Sequence, residues 1–169
     1  MSNKVTIRPL SVDDAAAVST LHARVFGPGR FARTAYRVRE QRRGVEEQVS
    51  KFCRAAVLGN RLIASVTLTP VSIGEARDCL LLGPLAVDPE FAGQGFGRGL
   101  VASAIEEAKA QGIAAIILVG DEPYYGRFGF KRVPSAQIQF PGPVDQARIL
   151  GLELQEGAMA KVSGLVVGA

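Results

Sequence analysis

A single α/β domain built on a mixed (α+β) sheet is the fold class this sequence predicts, and three observations predict it. The chain has 169 residues, 47% of them apolar and 21% charged, the size and balance of one soluble globular domain. A strand–helix–strand pattern runs from residue 79 to residue 119, and such a unit sets its two strands parallel. Ahead of it, two β-rich runs meet at Gly59-Asn60, a hairpin pair, so those strands are antiparallel. Disorder, collagen and a coiled coil are excluded as the main state. With no internal repeat and no linker, the domain is read as residues 1–169.

The elements follow in order. Residues 5–10 alternate and end at Pro9, which marks a short strand. Ser11, followed by Asp13 and Asp14, heads an amphipathic helix with Ala17, Val18, Leu21 and Val25 on its apolar face; Gly27-Pro28-Gly29 stops it. Residues 31–43 are a second helix candidate with a weak stripe of Phe31, Ala35 and Val38. Residues 52–58 and 62–71 are the hairpin strands. A loop over residues 74–78 then leads to 79–87, Cys-Leu-Leu-Leu-Gly-Pro-Leu-Ala-Val, apolar on both faces as a central strand should be. Gly83-Pro84 interrupts that run, and a proline cannot donate to a ladder, so a bulge or a splayed edge is expected mid-sheet. The glycine-rich run 92–99 opens a helix with Leu100, Val101, Ala104, Ile105 and Ala108 as its apolar face and Gly112 as its stop. Residues 114–119 are a buried strand, and residues 137–140 and 151–154 are strand candidates in the tail.

Charge and cysteine usage narrow the function. The net charge is +4, with 15 arginines against 5 lysines. Arg24, Arg30, Arg33, Arg37, Arg39, Arg42 and Arg43 crowd a stretch whose one acid is Glu40, a local positive potential that attracts anions. A nucleic-acid footprint would interleave more stacking aromatics than Phe26, Phe31 and Tyr36, so no nucleic-acid partner is expected. Cys53 and Cys79 sit in or beside apolar runs and read as buried reduced thiols. One histidine, His22, and no CxxC give no metal site. No apolar run reaches the roughly 18 residues of a membrane span, and the start, MSNKVTIRPL, lacks a secretory signal's long apolar stretch. A cytoplasmic protein is expected.

The most informative stretch is Asp88-Pro-Glu-Phe-Ala-Gly-Gln-Gly-Phe-Gly-Arg-Gly-Leu100. Gly93, Gly95, Gly97 and Gly99 alternate where a helix begins, at the positive end of its dipole and its unbonded amides. A diphosphate seated there collects several backbone donors, and Arg98 adds a charge. A dinucleotide site competes, because Gly97-Arg-Gly-Leu-Val-Ala102 fits GxGxxA and Asp121 follows about twenty residues on. Against it, residues 88–92 separate the glycines from their strand, and the preceding hairpin is no beginning for a doubly wound sheet. A Walker A loop fails for want of GK[ST].

This stretch, with Tyr124-Tyr-Gly-Arg-Phe-Gly-Phe130 beyond the next strand, resembles the GCN5-related N-acetyltransferase (GNAT) superfamily, and within it the small bacterial YhbS-like branch. Element order agrees over most of the chain, and the motif match is concentrated in residues 80–133. The family's loop pattern, Arg/Gln-x-x-Gly-x-Gly/Ala, is met by Gly95 and Gly97 but has Ala92 at its polar position. The resemblance implies an acyl-CoA N-acyltransferase fold whose central parallel strands splay around acetyl-CoA, with no metal. It implies that Leu85, Ala86 and Val87 pair with the pantetheine arm, and that Gly93, Gln94, Gly95, Phe96, Gly97 and Arg98 hold the pyrophosphate. Tyr125 matches the family's general acid. No acid lies on residues 79–87, so Glu122 or Asp121 stands nearest as the base, with His22 and a water chain as other routes. The acceptor, a small-molecule or peptide amine, would enter near the first two helices. Arg30, Arg33 and Arg37 there suit one bearing an acidic group. A homodimer is compatible with this reading. So is a non-catalytic acyl-CoA-binding regulatory protein.

Overall fold

The computed structural model describes residues 4–27 and 49–168; the expected second helix, residues 31–43, lies outside them. Four strands run as antiparallel neighbours in chain order: β1 (Val5–Pro9), β2 (Arg54–Leu58), β3 (Arg61–Ile73) and β4 (Ala76–Val87). The chain then crosses through helix α2 (Phe96–Ala110) to β5 (Ala115–Val119), which lies parallel to β4. Beyond β5 come β8 (Ile149–Glu153) and, at the far edge, β6 (Lys131–Arg132), each antiparallel to its neighbour. β7 (Ile138–Gln139) and β9 (Gly164–Gly168) form a short parallel pair, and β9 also joins the end of β3. Helix α1 (Ala15–Phe26) and the four-residue α3 (Glu122–Tyr125) complete the elements used below. The predicted mixed sheet is therefore present.

The differences have local causes. The expected loop over 74–78 is mostly strand: only Gly74 and Glu75 turn, and Ile73 already pairs with Ala76. Arg77 and Asp78 look like loop because they are polar, yet both are exposed on an extension beyond the core. β7 falls within the strand candidate 137–140, whereas β6, β9 and α3 lack a signal because two to five residues carry too little periodicity to register.

Each central strand is buried on both faces. Leu80 and Leu82 of β4 meet Leu100, Val101 and Ala104 of α2 together with Ile116, Leu118 and Phe130. Cys79 and Leu81 face the other way, toward Ile117, Ile138, Ile149 and Val166. A buried arginine fastens α2 to the sheet. Arg54 of β2 donates from Nη1 to Lys51 O (2.7 Å) and Cys53 O (3.0 Å) and from Nε to Ser103 Oγ (3.2 Å). At the N-terminus, Arg8 forks onto Asp14 at 2.8 and 2.9 Å, and the Ser11 N–H donates to Asp14 Oδ2 at 2.8 Å. The sequence signal of Ser11 with Asp14 is thus a capping arrangement with a cation added.

Two register features shape the middle of the sheet. Against β3, Leu82 pairs with Leu68 and Leu85 with Val66, so Gly83 and Pro84 together oppose Thr67 in a bulge. Against β5, pairing covers Cys79, Leu80 and Leu81 and then ends. β5 continues to Val119, paired among the described residues with β8 alone. From Leu82 onward β4 and β5 diverge, and the expected splay sits where the Gly83-Pro84 interruption placed it.

Candidate active site

Among the described residues, the splay leaves one edge of β4 without a pairing strand over its last residues, which include Leu85, Ala86 and Val87. Their other edge remains in the ladder, against Val66, Ser65 and Ala64. An extended chain of amides entering the gap can therefore complete the open edge without disturbing the sheet.

Directly beyond β4 the chain is pinned before it turns. Asp88, only 4% exposed, accepts from the Glu90 N–H at 3.0 Å and meets Arg61 at 3.1 Å and Arg24 of α1 at 3.3 Å. The backbone N–H of Glu90, with Arg61 and Arg24, holds the Asp88 carboxyl below its usual range despite burial. Arg61 also reaches Glu90 at 2.8 Å and lies over the Phe91 ring. This latch was not read from the sequence; an acid before Pro89 is the common look of a helix cap.

The four glycines divide into two pairs. Gly93 and Gly95 have φ of +78° and +86° with open space where a Cβ would stand; they turn the chain into α2. Gly97 and Gly99 are helical and there for close packing. A Cβ on Gly97 would lie 3.0 Å from Tyr124 Oη, 3.5 Å from Val87 Cγ2 and 3.7 Å from Leu85 Cδ2, and one on Gly99 would lie 2.9 Å from Ile7. The first intrahelical bond runs from Gly99 N to Gly95 O at 3.1 Å, so the amides of Phe96, Gly97 and Arg98 precede it and point out of the helix end. Gln94 and Arg98 are exposed beside them. The loop and the open edge of β4 are consecutive along the chain, so one elongated ligand can reach both.

Two tyrosines on α3 close the other wall. Gly120, at the end of β5, gives room to Tyr125: a Cβ there would come within 2.7 Å of Tyr125 Cε2. The Tyr125 ring makes edge contacts with Tyr124 (4.8 Å) and Phe130 (5.8 Å). It stands at the β5 limb of the splay. Tyr124 was not singled out from the sequence, though it adjoins Tyr125 in the same motif. Burial holds its phenol above the usual value, with the charges of Arg127 and Arg98 opposing.

The other expected residues fall as follows. Asp121 is 76% exposed and pairs with Arg148 at 3.3 Å. Glu122 is exposed in the first turn of α3. His22 is buried on the sheet-facing side of α1, its ring 5.7 Å from Phe26. Arg30, Arg33 and Arg37 lie outside the described residues. Cys53 and Cys79 are buried and free, and burial, with Asp78 nearby, pushes the Cys79 thiol up to about 11. Among the described residues no helix is long and apolar enough to cross a membrane.

Comparison with known proteins agrees with this geometry. A family model described as "Acetyltransferase (GNAT) family" matches residues 16–130. The uncharacterized N-acetyltransferase YhbS of Escherichia coli is 32% identical over 107 residues, 63% of this chain and 64% of its own length. The match thus spans just under two thirds of that relative. A second relative, the uncharacterized N-acetyltransferase YjhQ of Escherichia coli, is 39% identical over 51 residues, 30% of this chain and 28% of its own. Among solved structures, YhbS from Escherichia coli in complex with CoA superposes with a TM-score of 0.79 at 25% identity, covering 100% of this chain and 92% of that one. A GNAT-family acetyltransferase from Brucella melitensis in complex with acetyl-CoA gives a TM-score of 0.63 at 22% identity over 91% of this chain and 90% of that one, a likeness of fold. With the family model covering well over half its length, this chain belongs to the GNAT acetyltransferase family.

Proposed function

We propose that this protein transfers the acetyl group of acetyl-CoA to the amine of a small molecule or peptide. One observation carries the reading: β4 parts from β5 after Leu81, and its open edge leads straight to the bare amides at the start of α2. The CoA bound by the structurally similar YhbS supports the choice of ligand. The free groups of Leu85, Ala86 and Val87 pair with the amides of the pantetheine arm. The N–H groups of Phe96, Gly97 and Arg98 receive the diphosphate, with the Arg98 guanidinium beside it. Gly93 and Gly95 set the turn that presents those amides, and no metal is needed.

Transfer is then direct. The amine nitrogen attacks the thioester carbonyl carbon, the C–S bond breaks, and the departing thiolate takes a proton from the Tyr125 hydroxyl. A phenolic O–H is a proton donor. The amine's own proton leaves toward Glu122, which faces water, since Asp121 is engaged by Arg148. Arg30, Arg33 and Arg37 favour an acceptor that carries a carboxylate or phosphate.

The test is steady-state kinetics of Tyr125→Phe with acetyl-CoA and a responsive amine. The ring contacts survive and only the proton is lost, so kcat should fall about 100-fold or more with KM for acetyl-CoA nearly unchanged. Equal turnover would remove Tyr125 from the proton transfer.

A further inference from the structure

The hydroxyl of Tyr124 occupies an unusual position for a side chain the reaction does not use. The ring is held by Tyr125 at 4.8 Å, Phe128 at 6.2 Å and the Arg127 guanidinium at 4.9 Å. Those contacts fix where the hydroxyl goes: across the gap from α3 to the space bounded by Gly97 of α2 and by Leu85 and Val87 of β4. A β-carbon on Gly97 would touch it, so the absence of that carbon is what lets Tyr124 reach so far. Within the described residues the hydroxyl makes no hydrogen bond, although the side chain is half-buried. A half-buried phenol locked by its ring with no partner for its O–H is a donor waiting for an acceptor.

We propose that Tyr124 is a second ligand-binding residue of the cleft, whose hydroxyl donates to a phosphoryl oxygen of the diphosphate where the ligand passes from the β4 edge onto α2. The proposal rests on the acetyl-CoA reading above and adds to it a contact from the opposite wall. The surrounding chemistry fits. The loop itself offers mostly backbone, because Ala92 ends in a methyl and three of residues 93–97 are glycine. Arg98 and Arg127 give the same corner positive charge. Burial keeps the phenol protonated at neutral pH, and so able to donate, against the pull of those two cations. Tyr124 and Tyr125 thereby divide the work, one gripping the anionic part of the ligand and the other serving the sulfur.

The experiment compares the wild type with Tyr124→Phe, which keeps the ring and its contacts, by calorimetry with CoA and by amide NMR with pantetheine, which lacks the diphosphate. The expected result is a CoA dissociation constant raised about tenfold with an unchanged constant for pantetheine. Where pantetheine binds neither protein, the tenfold loss toward CoA must still appear. Unchanged CoA affinity, or an equal loss toward both ligands, overturns the proposal. The acetyl-CoA reading fails separately, on a folded wild type that binds no CoA at all.

Discussion

Asp14 shows how much one side chain can be asked to do. It receives two hydrogen bonds from Arg8 and one from the Ser11 backbone, and the Arg8 bonds come first in holding its carboxyl at about 2. The unfolded chain titrates the same group near 4. The ionised form therefore adds stability above about pH 4, and that contribution fades as pH falls through about 2. Asp14→Asn should lower stability at pH 7 by about 1 kcal/mol, and the deficit should shrink in urea melts taken toward pH 2. A deficit independent of pH would mean that packing, not charge, is what Asp14 supplies. Its cap was legible because Ser11 and Asp14 stand three apart before an apolar periodicity. The partner Arg8 was not, since nothing local announces an ion pair between a strand and the turn that follows it.

The element that matters most is the turn from β4 into α2, where four glycines make two different demands. Gly95 is held at a φ of +86° with nothing near its missing side chain, so Gly95→Ala should cost about 1 kcal/mol of stability and little else. Gly97 has an ordinary helical backbone but stands against Tyr124, Val87 and Leu85. Gly97→Val should leave helix content intact, push Tyr124 and Val87 aside and raise KM for acetyl-CoA about tenfold or more. Circular dichroism and kinetics on the two variants separate these roles; the reverse pattern would mean that they have been exchanged. The sequence displayed the glycines and where the helix starts. It did not distinguish glycines that turn from glycines that make room, because the second kind depends on Tyr124, which arrives from 27 residues further along. The same limit hid Arg54, whose partners lie on its own turn and on α2. By contrast, the splay was readable: a proline inside a run that is otherwise apolar on both faces has few places to go in a sheet, and an edge that has left its ladder is one of them. The short strands β6 and β9 could not be seen, being defined by pairing rather than by pattern.

At the scale of the whole molecule the net charge of +4 is concentrated in one stretch of arginines before β2, and the active-site reading gives that asymmetry a purpose in drawing an acidic acceptor. Raising ionic strength from low to physiological shortens the screening length to about 8 Å, so KM for such an acceptor should climb with salt while kcat holds. A flat response would assign the arginines to a solvated face. The central claim is that the open edge of β4 and the amides of α2 together bind an acyl carrier, and calorimetric titration of acetyl-CoA into the folded protein addresses it most directly. Saturable one-site heat with a dissociation constant well below millimolar is expected; no association at millimolar ligand, in a sample whose fold is verified, would contradict the claim.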